Sequence, residues 1–425
     1  MRFSLVNPPW DFDRSIYFGC REPHLPLEYG YSRALLQDAG HEVQIVDGQL
    51  YDLTLEEIRA EVRDFEADFA VVTTAPSYLF WRCAPPELRV PQQMMDALRD
   101  LPCKLVGVGP HASTTPRSAL SKLDADIVVL GECEEILPKL SGDWSSVDSV
   151  CYRSPEGARV QGAPHAANMN QLPALRWDRE TIGRHAHHHH RFDSAPLGPG
   201  AEMETSRGCP YHCTFCAKDN FRDSFRRRPL PVVAGELDGL VEAGVEYVYF
   251  IDEIFLPYAA VIEMIAERPV KFGIQTRIDL WSHQMIDLLG RAGCVSIEAG
   301  VESITEAGRD LLAKRCKLST SEITERLLHA KERVPFVQAN LLDSQCDDPQ
   351  EVEQWREKLH QNGVWANKPV PLFSYPGSPD YTQRWGEPDD LAWERAHEVY
   401  LSQFSEFSDI QEQRPARLVQ LEAQR

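Results

Sequence analysis

Short apolar runs alternate with amphipathic stretches, twice over, along this chain. In the first series residues 2–7 read as a strand stopped by Pro8-Pro9, and residues 27–39 as a helix stopped by Gly40. Strands follow at 43–47, 69–74, 104–108 and 127–130, with helices at 55–65, where Ile58 and Val62 share a face, and at 94–101. Runs such as Phe69-Ala-Val-Val-Thr-Thr are too apolar to be half exposed, so a doubly wound parallel sheet is expected. The second series has strands at 201–206, 247–251, 271–276, 295–298 and 336–343. Helices between and after them span 230–243, 261–267, 285–292 and 349–361. About six such repeats predict a partial (β/α)6 barrel with its working residues at the strand C-termini. Residues 141–200 read as a connector holding a small strand pair. Beyond 390, Trp393, Tyr400, Phe404 and Phe407 lie in helical stretches, expected as a cap over the barrel mouth.

Composition narrows the class. The chain has 425 residues, 43% hydrophobic and 26% charged, which suits a protein of two or three domains. A net charge of −21 opposes a phosphate backbone, so nucleic acid is not an expected partner. The one basic run, from Arg222 to Arg228, reads as a solvated loop. No run reaches the ~18 apolar residues of a membrane span, and the opening residues lack the apolar core of a signal peptide. A cytoplasmic location is expected. Eleven cysteines without paired spacing do not make a disulfide framework.

The chemistry concentrates in Cys209-Pro-Tyr-His-Cys213-Thr-Phe-Cys216. Three thiolates at this spacing reach three corners of an iron–sulfur cluster and leave one iron without a side chain. A zinc knuckle with His212 as fourth ligand, or three buried thiols, are the alternatives. With Phe215 before the last cysteine, the motif resembles that of the radical S-adenosylmethionine (SAM) superfamily. That resemblance implies a 4Fe–4S cluster on Cys209, Cys213 and Cys216, with SAM bound at the open iron. Polar residues stand at the barrel strand ends: Asp252, Glu253, Gln275, Arg277, Glu298 and Glu302. Phe250-Ile-Asp-Glu253 resembles the element that holds the SAM amino group, and Glu298-Ala-Gly-Val-Glu-Ser303 the later motif near its ribose and methionine. Arg277 suits the SAM carboxylate, which a guanidinium binds bidentately.

In the first series, ligands are expected at the carboxyl ends of the strands. Candidate residues there are Asn7, Asp47, Thr73, Ser77, Gly109, His111, Gly131 and Glu132. The glycine-rich turn lacks G-x-G-x-x-G, which disfavours a nicotinamide site. Asn7-Pro-Pro, Gly107-Val-Gly-Pro-His-Ala-Ser113 and Gly131-Glu-Cys-Glu134 together resemble the Rossmann-like cobalamin-binding domain of one large radical SAM class. Tyr375-Pro-Gly-Ser-Pro379 resembles a C-terminal motif of that class. The Asp-x-His-x-x-Gly motif that supplies a histidine to cobalt is absent. His111 is therefore read as a loop hydrogen-bonder or a corrin contact.

The resemblance implies an α/β protein divided into a cobalamin-binding domain (1–140), a connector (141–200), a radical SAM barrel (201–345) and a helical extension (346–425). It implies that an electron from a donor such as flavodoxin or ferredoxin reductively cleaves SAM to a 5′-deoxyadenosyl radical. A carbon of a small-molecule substrate is then methylated through methylcobalamin. Rearrangement or oxidation without methyl transfer, and a carrier or sensor without turnover, are the other readings. Inserts stand out at 17–26 and 76–93, and the second, long and aromatic, either covers the corrin, walls the substrate pocket or only packs on the second domain. The run His185-Ala-His-His-His-His190 reads as an adventitious surface metal binder.

Overall fold

The computed structural model describes residues 1–16, 23–81, 83–185, 198–218, 221–222, 224–404 and 414–424. In the first unit β1 (Arg2–Asn7), β2 (Glu42–Asp47), β3 (Phe69–Thr73), β4 (Lys104–Val108) and β5 (Ile127–Val129) run parallel in the order β2-β1-β3-β4-β5. The expected strand pair, β6 (Val150–Ser154) and β7 (Gly157–Gln161), extends this sheet antiparallel from β5. All of β3 is buried because both faces are covered. Ala70 and Val72 pack with Ile58, Val62, Met94 and Leu123 of the flanking helices. Phe69 and Val71 face a core continuous with the second unit. The helix Leu55–Asp64 opens on a capping box, Thr54 with Glu57. The helix expected from 94 begins at Arg89. Pro91 falls in its first turn, where a missing N–H costs no helical hydrogen bond.

In the second unit β8 (Gly200–Met203) leads into a hairpin of β9 (Ser206–Arg207) and β10 (Arg226–Arg227). The sheet continues with β11 (Tyr247–Phe250), β12 (Lys271–Thr276), β13 (Cys294–Glu302), β14 (Phe336–Asp343), β15 (Trp365–Ala366) and β16 (Val370–Pro371). Its order is β15-β14-β13-β12-β11-β8, with β16 also on β14, and every pair is parallel. A helix follows β11, β12, β13 and β14 in turn, which gives the partial barrel. β13 runs further than expected, through Gly300 to Glu302. Its Ile297, Ala299 and Val301 are buried, and the alternate positions Glu298, Gly300 and Glu302 are partly accessible. Gln275, Glu298 and Gln338 sit side by side across β12, β13 and β14. One face of this sheet is therefore polar at its centre.

The C-terminal helices Ala392–Gln403 and Leu418–Glu422 pack on the first unit as well as on the segment after β16. Trp393 Nε1 donates to Thr115 Oγ1 at 3.2 Å, and Lys122 Nζ pairs with Glu394 at 2.6 Å and Glu422 at 3.0 Å. Trp393, Ala396 and Tyr400 are buried, and the Tyr400 ring meets Phe373, after β16, at 5.9 Å. Phe407 lies outside the described residues. Among the described residues no helix is long and apolar enough to cross a membrane.

Gly109 ends β4 at φ +134°, and a Cβ there would lie 2.2 Å from Thr74 Oγ1. Gly40 has φ +81° and open space around it. Gly40→Ala should cost about 1–2 kcal/mol of stability from backbone strain alone. Gly109→Ala should cost about 1–3 kcal/mol more from the added clash. Equal losses for the two variants in urea denaturation would contradict this.

Candidate active site

The cysteine loop springs from the β9–β10 hairpin and is tied down on three sides. Gly208 N donates to Glu253 Oε2 at 2.8 Å, Thr214 N to the Leu312 carbonyl at 3.1 Å, and Asp380 N to the Thr214 carbonyl at 2.9 Å. The last bond brings the helix Pro379–Trp385, just after the Tyr375–Pro379 motif, against the loop. Cys209, Cys213, Phe215 and Cys216 are each half-buried, and His212 is exposed. Burial raises the thiols of Cys209 and Cys213. The charges of Lys218 on the first, and of Lys314 and Arg277 on the second, oppose that rise and favour the thiolate that binds metal. Among the described residues no three His, Cys, Asp or Glu side chains gather around a single-ion position.

The strand-end groups divide. Arg277 stacks on Tyr211 of the loop at 4.1 Å and pairs bidentately with Asp279 at 3.1 and 2.7 Å. Its Nη1 is buried with no partner, a donor held beside the cysteines. Glu302 pairs with the buried Lys314 at 2.8 Å, and its charge also acts on Cys213. Gln275 and Glu298 lie on the polar face, which Gln338 and Asn340 extend. Asp252 faces inward instead. Its carboxylate accepts from Thr205 N at 2.8 Å, Thr205 Oγ1 at 2.6 Å and Ser206 Oγ at 2.5 Å. Burial pushes its pKa up to about 7. It fixes the approach to the cysteine loop.

The first-unit residues also divide. Asn7 Nδ2 donates to Asp47 Oδ1 at 2.8 Å, Thr73 Oγ1 to the Ala75 carbonyl at 2.6 Å, and Gly131 N to Ser113 Oγ at 2.8 Å. Thr74 Oγ1 and Ser77 Oγ are buried without partners, the first of them beside the Gly109 turn. Such orphaned hydroxyls fit a polar-edged ligand such as a corrin. His111 is buried under Trp393, ring centroids 4.3 Å apart, and burial pushes its pKa down to about 3. The C-terminal helix thus covers it. His185 is buried as well, not on the surface. It stands 3.1 Å from Glu202, whose other oxygen meets His24 Nδ1 at 2.7 Å. Residues 186–190 lie outside the described residues.

The main feature missed by sequence reasoning is a buried charge cluster between the units. Glu132, read as a corrin contact, accepts from Arg226 at 3.0 and 2.7 Å and from Ala167 N at 2.6 Å, and lies 3.2 Å from Arg207. Arg207 also pairs with Glu134 at 2.8 Å and Glu204 at 2.6 Å. Arg222 pairs with Glu253, and the Tyr78 ring lies 4.4 Å from the Arg207 guanidinium and 3.9 Å from that of Arg222. The basic run expected in solvent is therefore buried at both ends, Arg222 at 0% and Arg228 at 4% exposed, while Arg227 between them stays exposed. Long side chains of one sign lost their water here because carboxylates from three other segments meet them. The 76–93 insert supplies Tyr78 and Trp81, the latter 6.0 Å from Phe221, and so packs between the units. Arg207 beside the first cysteine, and two glutamates at alternate positions in Gly131-Glu-Cys-Glu134, were the available signals.

Models of two families match this chain: the radical SAM superfamily over residues 203–353 and a B12 binding domain over residues 22–141. The chain belongs to the radical SAM superfamily and carries a B12-binding domain. The pairing brings the cofactors of those families, SAM on a 4Fe–4S cluster and cobalamin. An uncharacterized methyltransferase of Pyrococcus horikoshii is 24% identical over 332 residues, 74% of this chain and 68% of that protein. The anaerobic magnesium-protoporphyrin IX monomethyl ester cyclase of Cereibacter sphaeroides is 25% identical over 337 residues, 75% of this chain and 53% of the cyclase. The chain thus spans about half that relative's length. The radical SAM methyltransferase TsrM of Kitasatospora setae, solved with tryptophan substrate and a SAM analogue, superposes with a TM-score of 0.69 at 18% identity. The superposition covers 90% of this chain and 76% of TsrM, a likeness of fold.

Burial alone would raise Glu132, but Arg207, Arg226 and Arg222 together hold its pKa down at about 2. A depressed carboxylate adds stability above its unfolded pKa and loses it as pH falls through the folded value. The stability gap between the natural protein and Glu132→Gln should be full near neutrality and shrink from about pH 5 towards about pH 2. A gap independent of pH in denaturant titrations would contradict the assignment.

Proposed function

We propose that this protein is a cobalamin-dependent radical SAM enzyme that methylates an unactivated carbon of a small-molecule substrate. One observation carries the reading: the cysteine loop and the strand ends of the B12-binding unit are fixed to each other by the same buried arginines. When bound, the cluster and SAM supply a carbon-centred radical, and the corrin supplies the methyl group. In this reading Cys209, Cys213 and Cys216 hold the cluster, and Phe215 packs beside it. Glu253 and Arg277 bind the SAM ammonium and carboxylate, with Glu298 and Glu302 nearby. Asn7, Asp47, Thr73, Ser77, Gly109 and Gly131 form the corrin-facing rim. The chain divides into a B12-binding unit, a connector, a barrel and a C-terminal extension, with the first sheet reaching Gln161 and the barrel sheet reaching Pro371. The protein's work is to align the groups and exclude water and stray hydrogen donors.

The polar row Gln275, Glu298, Gln338 and Asn340 suits a substrate with hydrogen-bonding groups. A flavodoxin or ferredoxin supplies the electron, the site is cytoplasmic, and neither nucleic acid nor membrane takes part. The cyclase relative supports a second reading, oxidation or rearrangement without methyl transfer.

Anaerobically reconstituted protein should contain iron, sulfide and cobalt and form 5′-deoxyadenosine under reduction. Cys213→Ala should lower that yield by more than the about 10–100-fold that losing an outer-shell partner costs a metal site. SAM labelled in its methyl group should add the label to the product. An unlabelled product would move the assignment to the second reading, and zinc in place of iron would overturn both.

A further inference from the structure

One line of buried contacts runs from the cysteine loop to the corrin-side rim. Gly208, the neighbour of Cys209, donates its N–H to Glu253 Oε2 at 2.8 Å. The other oxygen of Glu253 accepts from Arg222 Nη1. Arg222 Nε lies 3.4 Å from Glu132 Oε1, on the loop after β5 in the first unit. Its Nη2 lies 3.7 Å from Glu204. Tyr78, after β3 of the first unit, covers the guanidinium at 3.9 Å. The Arg222 and Glu132 side chains are 0% exposed and that of Glu253 is 4% exposed. Arg222 is thus held by groups from both units, and Glu253 is shared between Arg222 and the loop that carries the cysteines.

We propose that Arg222 is a positioning residue that couples the two cofactor sites, so that cobalamin in the first unit tightens SAM binding in the second. The coupling rests on the functional reading above, in which Glu253 meets the SAM ammonium. A ligand cation at Glu253 competes with Arg222 for the same carboxylate. The guanidinium that yields stays buried and must be neutralised by Glu132 and Glu204, because an unpaired buried charge is strongly unfavourable. The loop carrying Glu132 therefore sets how readily Glu253 is released. A corrin that orders this rim holds Glu132 towards Arg222 and frees Glu253. Linkage is reciprocal, so SAM must tighten cobalamin binding by the same factor. Arg226 also grips Glu132, and Arg222 is the arginine that meets both Glu132 and Glu253.

The test is SAM affinity of cluster-loaded protein with and without hydroxocobalamin. It is read by equilibrium dialysis and by the change that SAM causes in the electron paramagnetic resonance spectrum of the reduced cluster. The natural protein should bind SAM at least about fivefold more tightly with cobalamin, the lower range of measured couplings. Arg222→Lys keeps the charge and loses the fork that spans two carboxylates; the factor should fall to about one. Glu132→Gln, similar in shape and placed in the first unit, should give the same loss and serves as the test if Arg222→Lys fails to load its cluster. A factor of one in the natural protein, or full coupling retained in both variants, overturns the proposal. Uptake of both cofactors without coupling overturns the coupling alone. Failure to take up cobalamin overturns the functional reading and the coupling with it.

Discussion

Two guanidiniums with no access to water, Arg207 and Arg222, constrain this structure more than any other feature. Removing such groups from solvent is costly by several kcal/mol each unless carboxylates meet them in good geometry. The carboxylates come from both units: Glu132 and Glu134 from the first, Glu204 and Glu253 from the second. Burial raises the pKa of Glu134, which accepts a hydrogen bond from Tyr78. Arg207 opposes that rise, and Glu132, Glu134, Glu204 and Glu253 are set in balance against Arg207, Arg222 and Arg226. That balance exists only when the carboxyl ends of the first sheet face the cysteine loop. Charge therefore fixes what the shared apolar core alone would leave free to slide, since burial is non-directional.

The remaining contacts extend this constraint. Asp252 clamps Thr205 and Ser206, which immediately precede Arg207. Arg228 runs back from the same hairpin to Glu236 at 2.7 Å and to the Pro173 carbonyl at 2.8 Å, tying in the helix Leu230–Ala243 and the connector. The C-terminal segment touches Thr214 within the cysteine loop and then crosses to Lys122 and Thr115 of the first unit. It acts as a strap from one unit to the other. Thiols held by such a frame lose little conformational entropy when they take up a cluster.

Local signals were legible in the sequence and distant pairings were not. The strands of the first sheet showed as unbroken apolar runs because helices cover both faces. The cysteine spacing carries its chemistry within eight residues. The helices Pro110–Thr114 and Pro116–Leu123 escaped notice because glycine and proline crowd their starts, where a proline at the first position in fact suits a helix. The run from Arg222 to Arg228 looked solvated because its partners are remote: Arg226 meets Glu132 across 94 residues of sequence. Asp252 and Glu253 are adjacent at the end of one strand, yet the first serves the hairpin and the second meets Arg222 and Gly208. A one-residue step reverses the side chain's direction, and only the structure gives each direction a destination.

The buried arginines hold the cysteine loop and the strand ends of the B12-binding unit face to face, which in the proposed reading sets cluster against corrin. Pulsed electron paramagnetic resonance on anaerobic protein holding both cob(II)alamin and the one-electron-reduced cluster measures this directly. The account predicts a resolved dipolar interaction between the two spins. Two spectra that add without mutual broadening would contradict it.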